Sequence, residues 1–116
     1  MIDIRVMERC PYPGGRFVAD GPYSGEFFRD EVLDPALRAA IKQREKIRVV
    51  LDGAPGYGSS FLEEAFGGLL RVRKDLSLAE IERTLEIKAS DPELLPFVRL
   101  AHEYMRHEAR RRPAGA

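Results

Sequence analysis

Apolar and charged residues alternate through Ile2-Asp3-Ile4-Arg5-Val6, which predicts a half-buried strand at the start of the chain. Cys10-Pro11-Tyr12-Pro13-Gly14-Gly15 then breaks regular structure as a turn, and Arg16-Phe17-Val18-Ala19 reads as a second short strand pairing back on the first. Beyond Gly21-Pro22, Ser24 is placed to cap a helical stretch that reaches Glu45. Within it Phe27, Phe28, Val32 and Leu33, then Leu37, Ala40 and Ile41, recur at helical spacing. Pro35 disfavours helical geometry at Asp34, so the stretch is expected either to kink or to restart there, with Asp34 as N-cap and Pro35 at the first helical position.

Ile47-Arg48-Val49-Val50-Leu51 predicts a strand, and the glycine-rich run Asp52 to Ser60 a tight loop. The clearest helix follows. Phe61, Leu62, Ala65, Phe66, Leu69 and Leu70 make an apolar stripe, and Ser60 with Glu63 forms a potential capping box at its start. Gly67-Gly68 inside that helix carries a propensity penalty of roughly 1 kcal/mol per glycine, so close backbone approach to a neighbour is expected there. Ser77 to Glu80 is a second capping box, Thr84 to Lys88 alternates as a strand, and Ser90-Asp91-Pro92-Glu93 announces a last helix carried by Leu94, Phe97, Val98, Ala101, Tyr104 and Met105. The order strand, strand, helix, strand, helix, strand, helix predicts an α/β domain with a mixed sheet and at least one parallel pair. One domain spanning residues 1–110 is expected, with residues 111–116 as a basic flexible tail.

Composition narrows the classes without naming a function. A 44% apolar fraction in 116 residues supports a real core. Lys+Arg and Asp+Glu balance at 19 each, which argues against an electrostatic nucleic-acid or membrane binder. The single cysteine, Cys10, excludes an internal disulfide, and a buried or idle thiol is its default role. No run approaches the ~20 apolar residues of a membrane span, and the charged N-terminus is unlike a signal peptide. A cytoplasmic protein is expected, without cofactor or metal.

The loop between the strand at Val49 and the long helix attracts two chemical readings. Gly53, four residues, Gly58 and two serines nearly follow the spacing of a phosphate-binding loop, but Ser59 stands where that motif needs a lysine. A small anion- or nucleotide-binding enzyme using Gly53 to Ser60 is therefore the alternative reading. A nucleophile elbow needs glycines two positions either side of its serine, and neither Ser59 nor Ser60 meets that requirement. Ser60 as a plain N-cap is the structural reading.

Ser24-Gly25-Glu26-Phe27-Phe28-Arg29, the strand Val49-Val50-Leu51-Asp52-Gly53 and the run Gly56-Tyr57-Gly58-Ser59-Ser60-Phe61-Leu62-Glu63-Glu64-Ala65-Phe66 together resemble the STAS-like domain family of unknown function. That family is related to the sulphate transporter and anti-sigma factor antagonist domains. The resemblance covers about residues 22–90 and is strongest over 47–71. It implies about four strands with helices mainly on one face of the sheet. In the antagonists, a serine at the start of the helix after the central strand is phosphorylated by a partner kinase that doubles as an anti-sigma factor. By position, Ser59 inherits that role, with Ser60 beside it, although the chain reads Gly58-Ser59-Ser60-Phe61 where antagonists read Asp-Ser-Ser-Gly or Asp-Thr/Ser-Gly. The resemblance thus implies a non-enzymatic protein-interaction module, a monomer or weak dimer, whose partner is a histidine-kinase-like ATPase. Gly56, Tyr57, Gly58 and Phe61 are the expected partner-binding loop, with Tyr57 at its exposed tip.

Two other features carry plainer readings. His102 and His107 are five residues apart, about 140° around a helix, which suits no shared metal site, and both are expected to face solvent. Arg106, Arg110, Arg111 and Arg112 form a basic helix end whose cations suit the macrodipole.

Overall fold

The computed structural model describes residues 1–112. Strands β1 (Ile2–Arg5), β2 (Ile47–Val50) and β3 (Leu85–Lys88) form one sheet in the order β1-β2-β3, with both pairs parallel. Ile4, Ile47, Val49, Leu85 and Ile87 point into the core, while Asp3, Arg5, Arg48, Val50, Glu86 and Lys88 lie on the other face. Parallel strands usually sit between two layers of helices. Here the alternation is that of a one-sided sheet, and all the helical packing lies on the apolar side. Among the described residues the expected count of about four strands falls to three, and the sheet expected to be mixed is parallel throughout.

The missing strand is Arg16 to Ala19. Its amides are taken by carboxylates: Phe17 N–H donates to Asp20 Oδ2 at 2.9 Å and Val18 N–H to Glu26 Oε1 at 2.8 Å. Gly25 and Glu26 donate to the carbonyls of Gly15 and Arg16, so the segment folds over the start of the next helix and never reaches β1. Before it, a single turn α1 (Val6–Arg9) buries Val6 and Cys10.

Two long helical rods fill the crossovers. The first runs through α2 (Gly25–Phe28), a π-helical segment Arg29–Leu33 and α3 (Asp34–Gln43). Ser24 caps it as predicted, its buried side chain accepting from Phe27 N–H at 3.1 Å. Asp34 is no N-cap, because Leu33 before it is helical and Asp34 N–H donates to the Arg29 carbonyl, five residues back. The wide turn explains how Pro35 fits inside a continuous rod. A proline ring clashes with the carbonyl four residues behind it, and a π turn opens the ladder at that point.

The second rod comprises α4 (Ser59–Leu62), a second π-helical segment Glu63–Gly67 and α5 (Gly68–Val72). It is buried on almost every side, which is why its apolar content extends beyond a single stripe. α2 crosses it closely: a Cβ added at Gly25 would lie 2.5 Å from the Phe61 carbonyl oxygen and 3.2 Å from Ala65 N. Backbone cannot yield as a flexible side chain can. Gly25→Ala is therefore expected to destabilise by about 1–3 kcal/mol, read from the midpoint of urea unfolding.

α6 (Leu78–Thr84) begins with the predicted Ser77–Glu80 capping box and leads into β3. Asp91 caps the short 3-10 turn Pro92–Leu94, and α7 (Leu95–Arg111) then packs against the second rod. The expected glycine approach is real: a Cβ at Gly67 would lie 3.4 Å from the Tyr104 carbonyl oxygen, and one at Gly68 2.7 Å from the Arg29 guanidinium. Arg111 is helical, and Arg112 donates to the carbonyls of Leu70, Arg73 and Leu76, so neither belongs to a loose tail. The rest of the predicted tail, 113–116, lies outside the described residues. Among the described residues no helix is long and apolar enough to cross a membrane.

Candidate functional site

The loop after β2 lies at the carboxyl end of the central strand, where open α/β sheets tend to bind ligands. Its interior is occupied by its own residues. Tyr57 is only 6% exposed and its hydroxyl donates to the Leu51 carbonyl at 2.7 Å. Burial pushes the phenol well above its usual range, further helped by the Asp52 charge. The ring packs edge-on against Phe97, at 6.0 Å between centroids, and beside Phe61 at 6.1 Å. Gly56 lies half-buried against Phe97, and Gly53, at a φ of +99°, packs on Met7 in a conformation that suits glycine.

Two expected contact residues are thus corrected. Tyr57 is not an exposed tip, because its ring and hydroxyl close the loop from within. Phe61, 1% exposed, belongs to the core beside Phe28 and Tyr57. What the loop shows to solvent is Gly53, Pro55, Gly58, Ser59 and Ser60.

Gly58, not Ser60, is the N-cap of α4, and no side chain caps the helix. The predicted Ser60–Glu63 capping box fails for a physical reason. Glu63 is drawn away by Arg16 and by Arg71, whose guanidinium donates to it at 2.7 and 3.0 Å. Ser59 and Ser60 are left as exposed hydroxyls in the first turn of an uncapped rod, whose first amides have no intrahelical acceptor.

Behind this helix start lies a charged network that periodicity alone does not reveal. The Arg29 guanidinium donates to the Glu64 carboxylate, with side chains only 9% and 10% exposed. Arg16 and Arg71 also reach Glu64, and Arg71 bridges on to Glu108. Arg29 and Glu63–Glu64 occupy the two π-helical segments, where the wide turns accommodate side chains that leave the regular ladder. Hydrogen bonds from Arg71 and Arg16 hold the Glu63 carboxyl at about 2 against the opposing effect of burial. A signal for one member exists in the sequence: Glu108 continues the Leu94, Val98, Ala101, Met105 stripe of the last helix, where an apolar residue would be expected.

His102 is half-buried beside Glu82, its Nδ1 3.7 Å from Glu82 Oε2, and burial lowers its pKa. The expectation that it faces solvent is therefore corrected, whereas His107 is exposed. Cys10 is buried, and burial raises its thiol to about 11.

A three-stranded parallel sheet, helices confined to one of its faces, and a serine-bearing helix start beyond the central strand make up a small α/β domain. Residues 24–94 match the family described as STAS-like domain of unknown function (DUF4325), and the chain belongs to that family. No curated protein and no solved structure gives a significant match.

Proposed function

We propose that the chain is a non-enzymatic, cytoplasmic protein-interaction module, a monomer or weak dimer, that contacts its partner through the exposed rim of the loop, Gly58, Ser59 and Ser60. Ser59 is the regulatory phosphoacceptor, with Ser60 as its neighbour, and the partner is a histidine-kinase-like ATPase. The observation that carries this reading is the pair of exposed serine hydroxyls on an uncapped helix start. A phosphate there gains from unmatched amides and the macrodipole. The adjacent acids offer less opposition than their sequence position implies, because Glu63 and Glu64 are both engaged by arginines. The nucleotide-binding alternative lacks a lysine at position 59, where Ser59 stands, to neutralise the phosphates.

The test is incubation with such an ATPase, ATP and magnesium, followed by mass spectrometry and measurement of complex affinity. Phosphate is expected on Ser59, absent in Ser59→Ala, and Ser59→Asp is expected to weaken the complex at least about tenfold. Unchanged affinity in both variants, with no phosphate incorporated, would end the switch reading.

A further inference from the structure

The polar face of the sheet carries two transverse rows of side chains. Asp3, Arg48 and Glu86 sit in register across the three strands and alternate in sign, two acids flanking one cation. The next row toward the carboxyl end is Arg5, Val50 and Lys88: two cations flank a small apolar residue, with no acid among them. Strands in a sheet lie about 4.8 Å apart, which puts the backbones of Arg5 and Lys88 roughly 10 Å from each other, with Arg48 one pleat behind Val50. A concavity of about 670 Å³ opens over this row, lined by Arg5, Arg48, Val50, Asp52, Lys88 and the Ala89–Asp91 turn.

The acids bordering the concavity, Asp52 and Asp91, offset part of this charge, Asp52 through its attraction to Arg5, and both are tied to backbone amides. The Asp52 carboxylate accepts from Ser90 N–H at 2.9 and 3.0 Å and from Asp91 N–H at 2.9 Å, and those bonds lower its pKa. Asp91 in turn accepts from Glu93 N–H. Arg5 and Lys88 form ion pairs with the exposed acids Glu8 at 3.8 Å and Glu86 at 3.4 Å, pairs that contribute little and exchange readily. Arg48 Nε lies 3.2 Å from Asp3 Oδ1 yet makes no hydrogen bond. By contrast, Arg16, Arg29 and Arg71 are committed to Glu63, Glu64 and Glu108, and Arg112 to backbone carbonyls. The carboxyl end of the open sheet face thus gathers three cations in a concavity, held by exposed pairs that a phosphate can displace.

We infer that this concavity is an anion-binding site, in which Arg5, Arg48 and Lys88 hold the phosphate groups of a small ligand over the Val50 floor. The spacing of Arg5 and Lys88 suits a ligand with two linked charged groups, such as a diphosphate, better than a single small anion. The site lies on the sheet and does not depend on the serine loop, so either reading can fail alone.

The experiment is a titration of the ¹⁵N-labelled protein with inorganic pyrophosphate, with orthophosphate in parallel. Saturable amide shifts are expected at residues 5, 48–52 and 88–91, at lower concentration for pyrophosphate. Arg5→Gln/Lys88→Gln should weaken binding at least about tenfold, while leaving the spectrum of the helices intact. Both substitutions are at exposed positions, so folding is expected to survive. Arg48→Gln, with Arg5 and Lys88 kept, should weaken it less. The site is refuted if pyrophosphate produces no saturable shift. It is equally refuted if the shifts persist in the double variant, or if they gather at the basic end of α7.

Discussion

Arg29→Met is expected to lower the free energy of unfolding by about 2–3 kcal/mol, because it takes the closest guanidinium from the buried Glu64 carboxylate and leaves it only the longer bonds from Arg16 and Arg71. A buried pair is weak evidence of net stabilisation, but one half of it left behind is costly. Removing both members distinguishes the two effects: Arg29→Met with Glu64→Leu should recover most of the loss. Urea unfolding of the three proteins at neutral pH measures this directly, and a double variant no more stable than the single one would refute the argument. The same network sets the acid behaviour. Glu63 is held at about 2 in the folded chain against an ordinary 4.5. Its contribution is complete above about 4.5 and disappears as pH falls toward 2. Glu63→Gln should therefore flatten that limb of the stability profile, measured as urea midpoint against pH.

Phe61→Ala should be comparably severe, about 3–5 kcal/mol, since it empties a core position packed on Phe28 and Tyr57. Ser59→Ala and Ser60→Ala, on exposed positions two residues and one residue earlier, should change stability by no more than about 0.5 kcal/mol. Thermal unfolding of the three variants checks whether the helix start divides as described, with a core anchor at Phe61 and free hydroxyls ahead of it. A mild effect at Phe61 would mean that its ring is available to a partner after all.

The features readable in advance were those decided by neighbours in sequence. Ser24 and the Ser77–Glu80 box cap their helices as spacing predicts, because a cap needs only an amide two or three residues away. The strands at Ile47 and Leu85 alternate because one sheet face is dry. The misplaced features depended on side chains that compete for the same groups, some nearby and some far along the chain. Ser60 has the right partner in Glu63 for a capping box, but Arg16 and Arg71, 47 and 8 residues from Glu63, claim that carboxylate instead. Arg16 to Ala19 looks extended and apolar enough for a strand, yet Asp20 and Glu26 take its amides. Tyr57 sits among glycines, which suggests exposure. Its burial follows from Phe97, 40 residues later in the sequence.

Each of the two crossing rods contains one wide turn, and this makes helix length itself a constraint. Deleting a single residue from Arg29–Leu33 or Glu63–Gly67 would let hydrogen bonds close up into an unbroken α-helix, and locally the result would look improved. Everything downstream would swing by about 100°. Leu37 and Ala40, or Leu69 and Leu70, would then face new directions, and the arginine–glutamate lattice between the rods would come apart. The surplus residue in each rod acts as a phase setting: it fixes where the second half of the helix points, so natural length variation should fall in the loops and spare these two turns.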